Sequence, residues 1–303
     1  MHKEMILLDT DIGDDIDDAY TLGLLLAEQA NLIGVTTVYR NSQQRAKIAA
    51  KLISLFDKKD EIKVYVGEDI PEKEEVKKFE KADVDGKANI PHYIPSEMEK
   101  EQTEDGAVDF IIQTLKAHPY EITLLAIGPL TNLARVIEKD HAAFQLAKSL
   151  LIMGGNFSEQ DVEWNVLCDP EAAKTVFLGG VPIKAVGVDI TRKCMFNERT
   201  LEYLSSLESA KYRLLVKMTE IWIDHNQERG VLPTMHDPLT AATLFNTELV
   251  KFAKGRFRVE TDGVCRAMTL PDEDGVELEY AVDVDVEKFM QYLCGLFRED
   301  KLT

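Results

Sequence analysis

Residues 9–18 read DTDIGDDIDD and place six aspartates within ten positions. The apolar run MILL at residues 5–8 comes directly before them, and its length and composition predict a short buried strand. The apolar segment AYTLGLLLA at residues 19–27 comes directly after them and predicts a helix. We therefore expect the aspartates to occupy a strand-to-helix loop at the carboxyl end of a strand. Open α/β sheets bind their ligands at that edge.

The clustered carboxylates predict a cation site. Like charges this close repel one another unless solvent or a cation neutralises them. Carboxylates are hard oxygen ligands, which suit Ca²⁺ or Mg²⁺. The alternative interpretation is a solvated acidic turn, since aspartate is also favourable at a helix N-terminus. The Asp-x-Asp and the glycine directly after a buried strand favour the cation site.

Composition limits the class of protein and its partners. The chain has 303 residues, 45% of them hydrophobic, which is enough for a substantial core. We see no repeat or linker and predict a single α/β domain over residues 1–303. The net charge of -19 argues against nucleic acid or an anionic membrane as partner and favours a small-molecule ligand. The four cysteines are widely spaced, which predicts free thiols in a reducing compartment. The N-terminal apolar run is too short for a signal peptide and no stretch reaches the length of a membrane span, so we expect a cytoplasmic protein.

Strand-like and helix-like segments alternate along the chain. Apolar runs predict strands at residues 5–8, 32–38, 62–67, 122–127, 149–153, 183–188, 257–260 and 281–284. Helices are predicted at residues 19–27, 43–56, 107–117, 130–138, 197–229 and 286–297, with two more that begin at residues 170 and 236. This alternation predicts an open, largely parallel but mixed sheet with helices on both faces. The charged segment 72–100 is predicted to form either a long loop or lid, or a disordered surface insertion.

Polar residues follow several predicted strands and should gather at one edge of the sheet. Besides the aspartates they are Asn41, Gly128-Pro129, Asn156 and Asp189. The EWN at residues 163–165 lies in a loop between a predicted strand and a predicted helix, and the HD at residues 236–237 lies at the start of a late helix. Each is a weak signal alone, and their convergence strengthens the prediction of a ligand site. The sequence lacks the glycine-rich loops of dinucleotide and nucleoside-triphosphate sites and the Gly-x-Ser-x-Gly elbow of serine hydrolases. It also has no His/Cys cluster typical of zinc sites.

These motifs together resemble the nucleoside hydrolase family, in its inosine-uridine preferring type. Residues 9–18 resemble that family's Asp-x-Asp-Pro-Gly-x-Asp-Asp signature. Further motifs follow in the family's order: TVYRN at 37–41, GPLTNLA at 128–134, MGGN at 153–156, EWN at 163–165, DPEAA at 169–173 and HDPL at 236–239. Two features depart from the pattern. Ile12 replaces the usual proline, and the loop after Gly13 is two residues longer, so the aspartates have no one-to-one assignment.

The resemblance implies a nucleoside-hydrolase-like fold with the active site at the carboxyl ends of the strands. It implies hydrolysis of the N-glycosidic bond of ribonucleosides to ribose and free base, in purine and/or pyrimidine salvage, by a homodimer or homotetramer. One bound Ca²⁺ would hold the attacking water and the ribose 2′- and 3′-hydroxyls. Nearby carboxylates would stabilise an oxocarbenium-like transition state. By resemblance the calcium ligands are Asp11, Asp18, Asp237 and the backbone carbonyl of Ile127. The residues that would contact the ribose are Asn41, Asn156, Glu163, Asn165 and Asp17.

The general base depends on how the longer loop is aligned. Alignment from the left, on Asp11 and Gly13, makes Asp15 the general base and puts Ile16 at the position of a metal ligand. Isoleucine cannot coordinate a metal through its side chain. Alignment from the right, on Asp17, Asp18 and the helix that follows, keeps both carboxylates. We therefore predict Asp17 as the base and Asp18 as the ligand, with Asp15 as the rival for either role.

Other residues receive subsidiary roles. Asp14 is predicted to face solvent or cap the loop, and Asp9 to hold the loop by accepting backbone hydrogen bonds. The nucleobase carries negative charge as it departs, so a nearby acid that protonates it would speed the reaction. His236 adjoins Asp237, and a histidine can be charged or neutral near pH 7, which makes it the first candidate for that acid; His225 is the second.

Two other functions remain open from the sequence. The first is a nucleoside- or ribose-binding protein without catalysis. The second is a Mg²⁺-dependent haloacid-dehalogenase-like phosphatase, which also begins with Asp-x-Asp after the first strand, although the HDP at residues 236–238 has no role in that chemistry.

Overall fold

A computed structural model of the chain describes residues 4–73 and 89–298. Within those ranges the strands are β1 (Met5–Thr10), β2 (Asn31–Thr37), β3 (Lys63–Val66), β4 (Glu104–Asp105), β5 (Ile122–Ala126), β6 (Ser149–Met153), β7 (Ile183–Val186), β8 (Val250–Val259), β9 (Thr269–Pro271) and β10 (Val276–Val284).

The α-helices of the same ranges are α1 (Asp17–Ala27), α2 (Ser42–Leu55), α3 (Pro95–Met98), α4 (Ala107–Ala117), α5 (Thr131–Phe144), α6 (Trp164–Cys168), α7 (Pro170–Phe177), α8 (Val188–Thr191), α9 (Glu198–Ser205), α10 (Ala210–Asn226), α11 (His236–Ala242) and α12 (Val286–Leu296). Short 3-10 turns follow at Gln227–Arg229 and Gly263–Cys265. None of these described helices is long and apolar enough to span a membrane. The four cysteines are free thiols, two of them buried.

The ten described strands form one sheet in the order β4-β3-β2-β1-β5-β6-β7-β10-β8-β9. All neighbours from β4 to β10 are parallel, whereas β8 runs antiparallel to β10 and β9 antiparallel to β8. From β1 the chain builds β2, β3 and β4 on one side and then returns to place β5 on the other. The carboxyl ends of β1 and β5 therefore flank a topological switch point, where open sheets form a crevice.

The core lies on both faces of the sheet because the residues of β1 alternate between two apolar clusters. Ile6 and Leu8 pack in the cluster that includes α1, α2, α10 and α12. Leu7 packs in the cluster that includes α4, α5 and α7. Burial of such a side chain contributes about 1.5–3 kcal/mol, so both faces fix the position of β1 and of the loop that follows it. The predicted mixed sheet with helices on both faces is confirmed.

Some boundaries differ from those predicted. Strand β7 ends at Val186, and Asp189 lies inside α8 instead of following a strand. Helix α6 begins at Trp164, in what was predicted as a loop, and the predicted helical region 197–229 is divided into α9 and α10. Helix α3 lies within the predicted lid 72–100, of which residues 74–88 fall outside the described residues.

Candidate active site

The aspartate loop joins β1 to α1 at the centre of the sheet. Helix α1 begins at Asp17, and both Asp17 and Asp18 lie buried in its first turn, where the positive end of the helix dipole favours a negative charge. Asp15 is exposed instead, and its Oδ1 accepts a hydrogen bond from the Ile16 N–H at 2.7 Å. The loop thus separates the two candidate bases into a buried one and an exposed one.

Three buried carboxylates meet at this point. One carboxylate oxygen from each of Asp17, Asp18 and Asp237 lies within 4.8 Å of the other two, and each residue is only 3% exposed. Asp237 comes from the first turn of α11, and its backbone N–H donates to Asp17 Oδ2 at 3.1 Å. The Thr10 hydroxyl donates to Asp18 Oδ1. The fold therefore brings together residues 220 positions apart in sequence. We refer to these three residues as the acid trio.

The electrostatics of the acid trio fit a divalent cation. Burial raises the pKa of Asp17, Asp18 and Asp237 well above the usual aspartate value, and the charges of neighbouring carboxylates raise it further. Burial also raises the pKa of Asp11 to about 7, although the Arg45 charge opposes that rise. Buried carboxylates of this kind need protons or a metal ion to offset their desolvation and repulsion.

Asp11 and Ile127 lie at the carboxyl ends of adjacent strands. A Cβ at position 128 would lie 2.8 Å from Asp11 Oδ1 and 2.9 Å from its backbone nitrogen, so the close approach of Asp11 requires Gly128. The Ile127 carbonyl accepts a hydrogen bond from Asn165 Nδ2 at 3.0 Å. A carbonyl oxygen has two lone pairs, so this bond leaves one free for a cation.

Arg45 of α2 holds the aspartate loop in place, although no motif in the sequence marks it. It is fully buried, and its guanidinium donates to the backbone carbonyls of Asp11, Ile12 and Tyr39. It also pairs with Asp14 Oδ2 at 2.6 Å. Asp14 is therefore half-buried and ion-paired instead of solvent-facing, and the Arg45 charge holds its pKa below the usual range against the opposing effect of burial.

Asp9 is held differently from the prediction. Instead of backbone N–H groups, its Oδ1 accepts from the Thr36 hydroxyl at 2.5 Å and from Asn132 Nδ2 at 2.7 Å. Asn132 also donates to the Thr37 carbonyl at 3.0 Å. This network ties the ends of β1 and β2 to α5. Burial raises the pKa of Asp9 to about 7, because only two hydrogen bonds oppose its desolvation.

The predicted ribose contacts line the neighbouring strand ends. Glu163 is buried and accepts hydrogen bonds from the backbone N–H groups of Gly155, Asn165 and Val166 at 3.1, 2.8 and 3.0 Å. Burial raises its pKa even so. Asn165 Nδ2 bridges the Ile127 carbonyl to the Met153 carbonyl, the latter at 3.2 Å. Glu163 and Asn165 thus connect the ends of β5 and β6.

Asn156 has an unpaired buried donor. Its Oδ1 accepts from the Glu159 N–H at 3.0 Å, and its backbone N–H donates to the Thr269 hydroxyl at 2.9 Å. Its Nδ2 is buried and has no hydrogen-bond partner within residues 4–73 and 89–298. Buried polar groups are nearly always bonded, so an exception of this kind points to a ligand.

Asn41 follows two residues with strained backbone. Tyr39 and Arg40 have φ of +74° and +59°, a left-handed conformation that is uncommon outside glycine. Their N–H groups donate to the carbonyls of Glu68 and Asp69, both at 2.6 Å. Asn41 is buried and accepts from the Gln44 N–H at 3.4 Å, at the start of α2. Strain of this kind clusters at functional sites.

The two candidate acids lie in different environments. His236 is half-buried at the start of α11, and its Nδ1 lies 2.6 Å from the Thr191 hydroxyl oxygen. Burial lowers its pKa to about 4. His225 is exposed near the end of α10. Only His236 directly precedes a member of the acid trio.

Comparisons with known proteins point in one direction. The family model described as "Inosine-uridine preferring nucleoside hydrolase" matches residues 6–291. Uridine nucleosidase 1 of Arabidopsis thaliana is 31% identical over 315 residues, which cover 96% of this chain and 92% of that protein. Probable uridine nucleosidase 1 of Oryza sativa subsp. japonica is 30% identical, with 90% and 86% covered. The structure of a plant nucleoside hydrolase superposes with a TM-score of 0.82 at 27% identity and covers 98% of this chain and 100% of that one.

Proposed function

The chain belongs to the inosine-uridine preferring nucleoside hydrolase family and is a nucleoside hydrolase, and we propose that it cleaves ribonucleosides by a Ca²⁺-dependent reaction at the acid trio. The observation that carries the proposal is the set of three buried carboxylates at the switch point of the sheet. Family membership removes the phosphatase alternative. We propose further that the enzyme serves purine and/or pyrimidine salvage in the cytoplasm as a homodimer or homotetramer.

A calcium ion fits the donors present. Asp11, Asp18, Asp237 and the carbonyl of Ile127 would hold it, since all four supply the hard oxygen atoms that Ca²⁺ prefers. When bound, the cation would offset the repulsion among these carboxylates and would make a nearby water more acidic.

Asp17 would act as the general base. Its Oδ2 is held by the Asp237 N–H, while Oδ1 has no hydrogen bond to another described side chain. A water oxygen bonds to C1′ of the ribose, and Asp17 takes the proton that this water loses. The C1′–N bond breaks, its electron pair stays on the nitrogen of the nucleobase, and the nucleobase then gains a proton. The products are ribose and the free base.

The predicted ribose contacts would bind the sugar through its hydroxyls. The unpaired Nδ2 of Asn156 can donate to a hydroxyl oxygen, and Glu163, already held by three backbone N–H groups, can accept from a hydroxyl with a remaining lone pair. Asn41 and Asn165 would complete this set. The buried carboxylates would also favour the positive charge that develops on the sugar.

A panel of nucleosides tests the proposal. Purified protein is incubated with uridine, cytidine, inosine and adenosine, and the reducing sugar released is measured before and after exhaustive chelation. Because the relatives compared above are named uridine nucleosidases, uridine comes first. We expect release of ribose that chelation abolishes and added Ca²⁺ restores.

Two results would contradict the proposal in different ways. Binding of a nucleoside without ribose release would indicate the alternative of a non-catalytic binding protein. Ribose release that survives chelation, with no divalent metal found by elemental analysis, would refute the calcium requirement.

A further inference from the structure

The Thr191 hydroxyl contacts the ring of His236. Thr191 is fully buried in α8, which follows β7 directly. Its Oγ1 lies 2.6 Å from His236 Nδ1, and among the residues that the structure describes it makes no second hydrogen bond. The Gly187 carbonyl, one helical turn earlier, accepts from the backbone N–H of Thr191 and not from its hydroxyl. The hydroxyl is therefore committed to the histidine.

The direction of this hydrogen bond follows from the donors and acceptors available. A hydroxyl has one hydrogen to donate and two lone pairs. If Nδ1 carried the hydrogen, the Thr191 hydroxyl hydrogen would be buried without an acceptor in the described part of the chain, and unpaired buried donors are rarer than unpaired acceptors. Thr191 therefore donates to Nδ1, which leaves the imidazole hydrogen on Nε2.

We infer that Thr191 is a positioning residue: by donating to Nδ1 it holds the ring of His236 in the tautomer that presents Nε2–H to the departing base. Nε2 makes no hydrogen bond within residues 4–73 and 89–298, and the ring is only half-buried, so this nitrogen is free to meet a ligand. As the C1′–N bond breaks, its electron pair stays on the base, and Nε2–H donates a hydrogen bond to the negative charge. The final proton of the base comes from solvent. This inference rests on the proposed function.

The test compares two leaving groups. Thr191→Val removes the hydroxyl and keeps the branched shape, whereas Thr191→Ser keeps the hydroxyl. The loss of one ordinary hydrogen bond changes an equilibrium by about two- to tenfold. We expect Thr191→Val to lower kcat for uridine by about that factor and to leave kcat for p-nitrophenyl riboside unchanged, because its leaving group needs no assistance. Thr191→Ser should restore kcat for uridine.

Thr240→Val is the matched control. Thr240 is also a buried threonine, but its hydroxyl donates to the backbone carbonyl of His236 at 3.2 Å and not to the ring. For Thr240→Val we expect the ratio of kcat for uridine to kcat for p-nitrophenyl riboside to stay at the wild-type value. If Thr191→Val does not fold, as judged by thermal denaturation, Thr191→Ala carries the same expectation.

A double-mutant cycle shows whether Thr191 acts through His236. In the His236→Ala background, Thr191→Val should have no further effect on kcat for uridine. The inference is overturned if Thr191→Val lowers kcat for both substrates equally, or if it lowers kcat for uridine equally with and without His236. Failure of the proposed function is distinguishable, since the wild type would then release no ribose from any nucleoside.

Discussion

Replacement of Asp17 by asparagine separates the role of the general base from that of a metal ligand. The side chains are isosteric, and an amide oxygen can still accept the hydrogen bond that the Asp237 N–H donates at 3.1 Å. The amide cannot take a proton from water. A general base contributes about 10²–10⁴-fold, so kcat for uridine should fall by that factor, or roughly 3–5 kcal/mol in activation free energy. Asparagine is neutral, so unlike Asp17 it needs no proton when it is buried and does not repel the neighbouring carboxylates. The metal-free variant should therefore unfold at a higher temperature than the metal-free wild type.

Asp15→Asn is the matched control for that substitution. Asp15 is exposed and does not belong to the acid trio, and its carboxylate accepts hydrogen bonds from the Ile16 N–H and the Trp222 side chain, which an asparagine oxygen can still accept. Exposed substitutions usually change free energies by about 0.5 kcal/mol or less, so kcat should change by about twofold or less. Steady-state kinetics, elemental analysis and thermal denaturation of both variants test the assignment. If Asp15→Asn abolishes turnover while Asp17→Asn stays active and metal-loaded, the assignment is refuted and Asp15 is the base.

Three further outcomes are expected. Arg45→Met should lower the free energy of unfolding by about 3–5 kcal/mol, because it leaves the buried carbonyls of Asp11 and Ile12 without their donor and leaves Asp14 with only the more distant Arg40 as an ion-pair partner. In urea denaturation Arg135→Met, which breaks an exposed ion pair, should cost under about 1 kcal/mol, and equal losses for the two variants would contradict this. The kcat/KM for 2′-deoxyuridine should be at least about 10³-fold below that for uridine, since a site that binds a hydroxyl rejects the analogue without it; comparable values would contradict the ribose contacts. The metal-free protein should lose stability as pH rises from 5 to 8. Folding raises the pKa of Asp9 and Asp11 from 3.8 to about 7, so the folded state binds more protons than the unfolded state between these values. The stability that these protons contribute is therefore lost as pH rises through 7. Thermal denaturation with Ca²⁺ present should show a smaller fall, and a metal-free protein that gains stability over this range would contradict the account.

The sequence predicted those parts of the fold whose signals are local. Largely apolar runs such as residues 122–127 and 149–153 correspond to the parallel strands β5, which is fully buried, and β6, which is buried beyond its first residue. Strand β8 was predicted only at its end, because alternate residues of its first part are partly exposed and polar. Helix α8 was not predicted because residues 183–188 are apolar except for Lys184 and no turn signal separates them, although the strand ends at Val186 and the helix begins at Val188.

The candidate site was predictable where a motif marks it and not where it depends on contacts between loops. The sequence placed Asp17, Asp18 and Asp237 near the same sheet edge, and the fold brings them within 4.8 Å. Nothing in the sequence indicates that Arg45 binds the carbonyls of the aspartate loop, since arginine at a helical position is ordinarily exposed. The pairing of Thr191 with His236 likewise depends on the packing of α8 against α11, elements 45 positions apart in sequence.

Calcium titration of the chelated enzyme tests the central claim most directly. Chelated wild-type protein and Asp237→Asn are titrated with Ca²⁺ in a calorimeter, and ribose release from uridine is measured in the same samples. We predict that the wild type is inactive without metal and that its turnover rises in proportion to bound calcium, with saturation at one ion per chain, while Asp237→Asn binds calcium more weakly. Full turnover of the metal-free wild type, or unchanged calcium binding by Asp237→Asn, would contradict a calcium-dependent hydrolytic centre at the acid trio.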